Sequence, residues 1–402
     1  MRGVFTQLGW YRRKLSPVPL KPIGFWDGFF VFIGYNNLEK ILNLNKHLQA
    51  DTCTKERKII MKKLKLTSLI LAAAMAIGLT ACSGGNGGND SGNSGNDGGN
   101  ASDASYKVGV IQYGSHPSLD NCYQGVEEAL KAAGITDIDR QDGNFDSATC
   151  DTIAKNMVAK NYDIIYAIAT PAAVSAYAAA ANTDIPVIFC AVSDPVAAGI
   201  VDDMAAPGGN CTGTSDILDF SSQVALIQAL QPDVKKIGVL YTTSEANSIS
   251  QLASLREVAE AQGIEIVDQG VQGAADVPQA AAALAAKVDC INNFTDNNVV
   301  SNLTVLLEQA NSAGIPVYGS EVEQVSNGCI ASISIDYVAL GKVTGEMGVR
   351  VLNGESAGTI AVGQISEGTP VVNTEVMDRF NIALPEAYAD AEKVTTNTEA
   401  AE

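Results

Sequence analysis

Acids, hydroxyls and amides recur in this chain directly after short apolar runs. In the first half they are Gln112 and Tyr113, then Thr170, then Ser193 and Asp194, then Thr214 and Asp216. In the second half they are Ser244, Asn247 and Ser248, then Thr295, Asp296 and Asn297, then Ser320 and Glu321, and finally Asp336. Their types suit the binding of a zwitterion such as an amino acid. Asp194, Asp216, Asp296, Glu321 and Asp336 offer carboxylates to an ammonium group. Thr170 and the Ser244–Ser248 run precede predicted helices, whose free N–H groups and partial positive charge suit a carboxylate. Tyr113, Tyr241, Phe294 and Tyr318 offer an apolar or stacking wall. A plainer reading competes at every one of these positions. Ser, Thr, Asp and Asn before a helix are also the usual N-caps, which satisfy orphan backbone donors.

Other chemistries find little support. The chain has two histidines, and only His116 lies beyond Cys82. His116-Pro117 reads as a loop or cap, with no nucleophile, base and orienter set beside it. No GxGxxG follows the first predicted strand, and GxxxxGK[ST] and CxxC are absent, so no nucleotide cradle, metal or other cofactor is expected. Charge narrows the partners further. Of 26 Lys and Arg, 13 precede Cys82, against 4 of 45 Asp and Glu, which leaves a net charge of −28 from Cys82 onward. Such a body lacks the cations that neutralise phosphates, so nucleic acid is excluded as a partner. It gains no attraction from an anionic membrane surface.

The elements that must carry these residues alternate strand and helix. Lys107–Tyr113 reads as a buried strand, Leu119–Ala133 as a helix stopped at Gly134, and Tyr162–Ala169 as a strand followed by a helix opening at Thr170-Pro171. Ile185–Cys190 is the next strand. This alternation predicts an α/β fold with parallel sheet and helices on both faces. The pattern then repeats. Lys107-Val108-Gly109-Val110 is matched by Lys236-Ile237-Gly238-Val239, Asp163-Ile164-Ile165 by Asp289-Cys290-Ile291, Ile185-Pro186-Val187 by Ile315-Pro316-Val317, and Ser215-Asp216 by Ile335-Asp336, at offsets of 120 to 130 residues. Two similar Rossmann-like lobes, 106–215 and 216–335, are therefore expected to face each other across a cleft. Ligands of open α/β sheets sit outside the carboxyl ends of the strands, where the polar residues above fall.

Ahead of the body, residues 61–82 read MKKLKLTSLILAAAMAIGLTAC: a basic start, 14 apolar residues from Leu66 to Leu79, and small residues before a cysteine. The run is short for a membrane span, which needs about 20 residues. It reads as a signal peptide, 61–81, ending in a lipobox that makes Cys82 the lipidated N-terminus. Translation is then expected to start at Met61, with 1–60 as an upstream artefact. The alternative is a genuine extension whose apolar run, 23–32, contacts membrane. Residues 83–105, nearly all Gly, Asn, Ser and Asp, form a flexible tether. This order places the body on the extracytoplasmic face of the membrane. The six later cysteines read either as small buried hydrophobes or as disulfides, with Cys190–Cys211 and Cys290–Cys329 the favoured pairs.

The stretches VGVIQYGSHPSLD, AIATPAA, DIPVIFCAVSDPV, PGGNCTGTSD, KKIGVLYTTSEANS, TDNN, AGIPVYGSE and SIDYVALG, in this order over 106–390, resemble the ABC-transporter substrate-binding lipoproteins related to TrpX. The resemblance implies a type I periplasmic-binding-protein architecture with three crossovers, here Thr214–Phe220, Ile335–Leu340 and Val362–Val372. It implies that 336–393 forms a crossover helix and a return to the N-terminal lobe, with 394–402 as a tail. It also implies a palmitate-anchored monomer without catalytic activity that delivers an aromatic amino acid, tryptophan above all, to a permease with its ATPase. A ligand-sensing partner of a signalling receptor, a binder of another small molecule and an extracellular enzyme are the competing classes. The poverty in histidine counts against the enzyme.

Overall fold

The computed structural model describes residues 106–365 and 368–397. The expectations for 1–60, the signal peptide, Cys82, the tether and the last residues of the tail lie outside the described residues.

The first lobe runs β1 (Val108–Gln112), α1 (Pro117–Ala132), β2 (Ile138–Asp142), α2 (Ser147–Ala159), β3 (Ile164–Ile168), α3 (Thr170–Ala180), β4 (Val187–Cys190) and β5 (Cys211–Ser215). β1 and β3 are buried at every residue, as strands covered on both faces must be. The second lobe continues with α4 (Phe220–Leu230), β6 (Lys236–Thr242), α5 (Ala246–Ala261), β7 (Glu265–Val271), α6 (Val277–Ala285) and β8 (Cys290–Asn292). It goes on through α7 (Asn297–Ser301), α8 (Leu303–Ala313), β9 (Val317–Tyr318), α9 (Val322–Ser326) and β10 (Ala331–Ser334). The remainder is α10 (Tyr337–Leu352), β11 (Gly363–Gln364), β12 (Thr369–Asn373), α11 (Thr374–Arg379) and β13 (Glu392–Val394).

Among the described residues, six strands form one sheet in the order β11-β5-β4-β3-β1-β2, all of whose pairings are parallel. The second lobe holds the parallel sheet β7-β6-β8-β9. Backbone bonds from Ile330 N to Val317 O and from Gly319 N to Ala331 O carry it on to β10, beside which lie β12 and β13. The fold is thus the expected pair of α/β lobes.

The chain passes between the sheets after β5, after β10 and after β11. α10 crosses back and packs on α1 and on the first sheet. Two glycines permit that close approach: a Cβ at Gly125 would strike the backbone of Val338 and Lys342, and one at Gly341 the carbonyl of Cys122. Here the segment 336–393 departs from its expected place. α10 and β11 join the first lobe, but β12 pairs antiparallel with β10 and β13 parallel with β12, so the chain ends in the second lobe. A second short strand beyond α10 left too faint a hydrophobic signal to show that return.

Among the described residues, the six cysteines are free and buried. Register explains why neither favoured pair forms. β4 and β5 align Val187 with Cys211, so Cys190 lies three residues further along, about 10 Å. β9 runs between β8 and the strand that follows Cys329, which separates Cys290 from Cys329 by about two strand spacings, again near 10 Å. A disulfide needs Cβ atoms about 3.5–4.5 Å apart. The thiols serve as small core side chains.

Candidate ligand-binding site

The lobes meet along direct hydrogen bonds. Gln251 Nε2 donates to Ser193 Oγ at 2.7 Å and Ser250 Oγ to Asp194 Oδ2 at 2.8 Å. The Asn121 amide donates to Glu323, and His116 Nε2 lies 3.4 Å from Asn297 Oδ1. This is a closed arrangement. Beneath it is a cavity lined from the first lobe by His116, Ser118, Leu119, Ala169, Thr170, Ala191 and Ser193, and from the second by Asn247, Thr295, Asn297, Val300 and Glu321. Asp216 and Tyr337 line it from the two crossover segments.

Three kinds of group converge there. The first is two carboxylates. Asp216 accepts from Ser193 Oγ at 2.9 Å and from Tyr337 OH at 3.0 Å, and burial raises its pKa in spite of both bonds. Glu321 is 1% exposed, its Oε2 has no hydrogen-bond partner, and burial with the nearby Glu323 charge pushes it up to about 8. The second is uncapped helix starts. α1, α3, α5 and α9 begin at the cavity from His116, Ala169, Glu245 and Glu321 without a side-chain cap. Asp146, Asp219, Asp296, Asp336 and Asn373 cap α2, α4, α7, α10 and α11. α6 and α8 also lack a side-chain cap, away from the cavity. The third is buried polar atoms without partners: Thr170 Oγ1, Ser118 Oγ, Asn247 Oδ1 and His116 Nδ1. Burial lowers His116 to about 4, so its ring is neutral near pH 7.

The backbone is strained at the same place. Ala169 has φ 78° and Ala191 φ 55°, at the ends of β3 and β4. A left-handed alanine costs on the order of 1–2 kcal/mol, and such strain gathers where a site needs a particular chain path. At Ala169 it turns the strand straight into α3, which brings the free helix start to the cavity.

Seven of the residues predicted from strand ends line the cavity: Thr170, Ser193, Asp216, Asn247, Thr295, Asn297 and Glu321. Nine do not. Asp296 is fully buried, but its two oxygens are taken by Thr242 N at 2.5 Å, Ser248 Oγ at 2.7 Å, Thr242 Oγ1 at 2.8 Å and Val299 N at 2.9 Å. It caps α7 and ties that helix to β6, so it has no lone pair left for an ammonium group. Ser248 belongs to the same network. Gln112 donates to Gly114 O and Asp120, Thr214 bonds Thr344 at 2.6 Å, and Ser320 donates to Asn293 O at 2.9 Å. Asp194 receives the interlobe bond at the rim and also accepts from Ala197 N. Ser244 is exposed, and so is Asp336, which caps α10.

The expected aromatic wall is absent from the lining too. Tyr113 packs edge-on against Phe145, while Phe294 and Tyr318 lie in the second lobe's core. Tyr337 is the aromatic that reaches the cavity. It and His116 stand in the strand-end stretches, where sequence could have found them. Nothing in the sequence marked Ala169 or Ala191.

Two α/β lobes joined by three crossovers and closed over a polar cavity define a two-lobed binding protein. The chain belongs to the ABC transporter substrate binding protein family, whose sequence profile matches residues 107–395. It is 38% identical over 329 residues to a tyrosine-binding protein of Clostridioides difficile, an alignment covering 80% of this chain and 94% of that one. Among solved structures it resembles an ABC domain in complex with L-Trp from Streptococcus pneumoniae, at 36% identity and TM-score 0.70 over 72% of this chain and 100% of that one. It also resembles the ligand-free, open form of a substrate-binding protein with adhesive properties from Clostridium difficile, at 35% identity and TM-score 0.57 over 73% and 100% of the two chains. Identity and coverage are nearly equal for these two structures. The superposition on the open form is the poorer of the two.

Proposed function

We propose that this protein captures an aromatic L-amino acid between its lobes, as the lipid-anchored extracytoplasmic component of an ABC importer. The observation that carries the reading is the meeting, in one closed cavity, of buried carboxylates and free helix starts. In this reading Asp216 takes the ammonium group. The N–H groups at the start of α3, with the hydroxyl of Thr170, take the carboxylate. Ala169, Ala191, Leu119 and Val300 give the cavity its apolar lining. The names of the relatives, which bind tyrosine and L-Trp, point to the same class.

Capture needs no bond-making. A ligand that touches both lobes favours the closed state by its differential affinity, and closure in turn buries it. Cys82 then tethers the body near its permease, and the tether reaches roughly 25–30 Å. The protein acts as a monomer and performs no catalysis.

Calorimetric titration of the purified protein with the common L-amino acids, sugars and nucleosides tests the reading. Binding is expected for aromatic amino acids and is expected to weaken sharply for their amides and N-acetyl derivatives, which lose one end of the zwitterion. Binding of a sugar or nucleoside with no amino acid would overturn it.

A further inference from the structure

A second hollow, open to solvent, adjoins the cavity. Its walls are the Ser115–Pro117 loop of the first lobe and, from the second, Val300 to Thr304 and residues of α9 with Asn327. It shares His116, Val300 and Glu321 with the cavity, so these three side chains stand at the junction. Asp216 lines the cavity alone. Asp216 thus lies at the crossovers, and Glu321 where the cavity meets the hollow.

Four residues that line the hollow carry buried polar atoms without a hydrogen-bond partner: Glu321 Oε2, Glu323 Oε2, Gln324 Nε2 and His116 Nδ1, of which Glu321, Gln324 and His116 are 1%, 0% and 8% exposed. Glu321 is the N-cap residue of α9 but makes no capping bond, so helix formation does not account for it. One ammonium group occupies one carboxylate. Burial holds Glu321 largely in its uncharged form near neutral pH, and the cavity has no Lys or Arg among its described lining residues to ionise it. A second, neutral donor on the ligand would match Glu321.

We propose that the hollow is the side-chain subsite of the ligand and that Glu321 is its specificity-determining residue, which favours aromatic amino acids whose ring bears an O–H or N–H donor. Tyrosine and tryptophan carry such donors, and phenylalanine does not. A site built to hydrogen-bond a ligand group rejects the analogue lacking it, since its own buried group is left unpaired. This proposal rests on the amino-acid reading above, with Asp216 at the ammonium end.

The test is a set of affinities for tyrosine, phenylalanine and O-methyltyrosine, in the wild type and in Glu321→Gln. In the wild type, tyrosine should bind at least about tenfold tighter than the other two, whose rings have no donor. O-methyltyrosine keeps the ring and its oxygen but replaces the donor hydrogen with a methyl group, and so removes the donor without any mutation. In Glu321→Gln the preference for tyrosine over phenylalanine should shrink by about tenfold. Equal wild-type affinities for the three ligands would overturn the subsite and leave the amino-acid reading standing. So would a uniform loss in Glu321→Gln, which would place the ammonium at Glu321. Failure of every amino acid to bind would overturn both.

Discussion

Two carboxylates in this molecule are equally hidden from water and differently employed. Asp296, behind α7, receives four donors from its own lobe, two of them backbone N–H groups. Asp216, at the cavity, receives two side-chain hydroxyls from two different parts of the chain. Burial therefore does not distinguish a structural acid from a binding acid. The donor count does. A saturated carboxylate holds the fold together, and an under-satisfied one keeps capacity for a partner. Glu245 stands between the two. Its oxygens accept from the side chains of Asn247, Asn297 and Asn298, with the nearest, Asn297 Nδ2, at 2.6 Å. Burial and the Asp296 charge push it up to about 8 against that pull.

The contrast yields predictions of decreasing size. Asp296→Ala strands several buried donors and should cost ~4 kcal/mol or more of stability, read from urea unfolding. A loss below about 1 kcal/mol would show that Asp296 does not organise the second lobe. Asp216→Asn should do the reverse. It leaves the stability of the ligand-free protein nearly unchanged, since it removes a buried charge, and weakens amino-acid binding by roughly 100-fold through loss of a charge-assisted bond. Calorimetry on the variant checks this, and unaltered affinity would move the ammonium group elsewhere.

Three buried groups in and beside the site should also write themselves into the pH dependence of stability. Glu321 and Glu245 have folded values of about 8, raised above the ordinary 4.5. The stability they confer is complete below about pH 4.5 and is lost as pH rises through 8. His116 is lowered from 6.5 to about 4, so its contribution is complete above pH 6.5 and is lost as pH falls through 4. Between pH 6.5 and 8 the slope belongs to the two glutamates, and Glu321→Gln should flatten it in a series of thermal melts of the ligand-free protein. An unchanged slope would mean that Glu321 titrates alike in the folded and unfolded chain.

The smallest effect belongs to Asp336, the repeat counterpart of Asp216. It is exposed and its Oδ1 caps α10 through Ala339 N at 2.9 Å. Asp336→Ala should cost about 1 kcal/mol of stability and leave affinity unaltered. A large loss of binding would mean that the two halves of the repeat share one function, and the contrast between these acids would fail.

Much of the architecture was legible because its signals are local. Buried parallel strands read as apolar runs, Gly134 and Thr170-Pro171 punctuate helices, and the repeat keeps its landmarks in order. Strand ends pointed to the right stretches of chain. They did not separate Thr170, whose hydroxyl faces the cavity unpaired, from Asp296, whose oxygens are filled, since capping and ligand binding use the same residue types at the same helix position. The aromatic residues misled for a related reason. Phe294 and Tyr318 follow or end strands just as site residues do, but the second lobe needed their volume in its core.

The amino-acid sequence by itself thus determined the α/β class, the duplicated lobes, the acidic body and the positions along the chain where a site can form. Each of these rests on local periodicity, on composition or on short motifs that recur in order along the chain. Only the tertiary structure decided which acids keep free lone pairs, that β12 and β13 complete the second lobe, and that Asp216, Glu321 and four uncapped helix starts share one cavity. Those outcomes depend on donors supplied from tens to more than a hundred residues away, as Tyr337 is to Asp216, and a long-range partner leaves no mark on the residues around an acid.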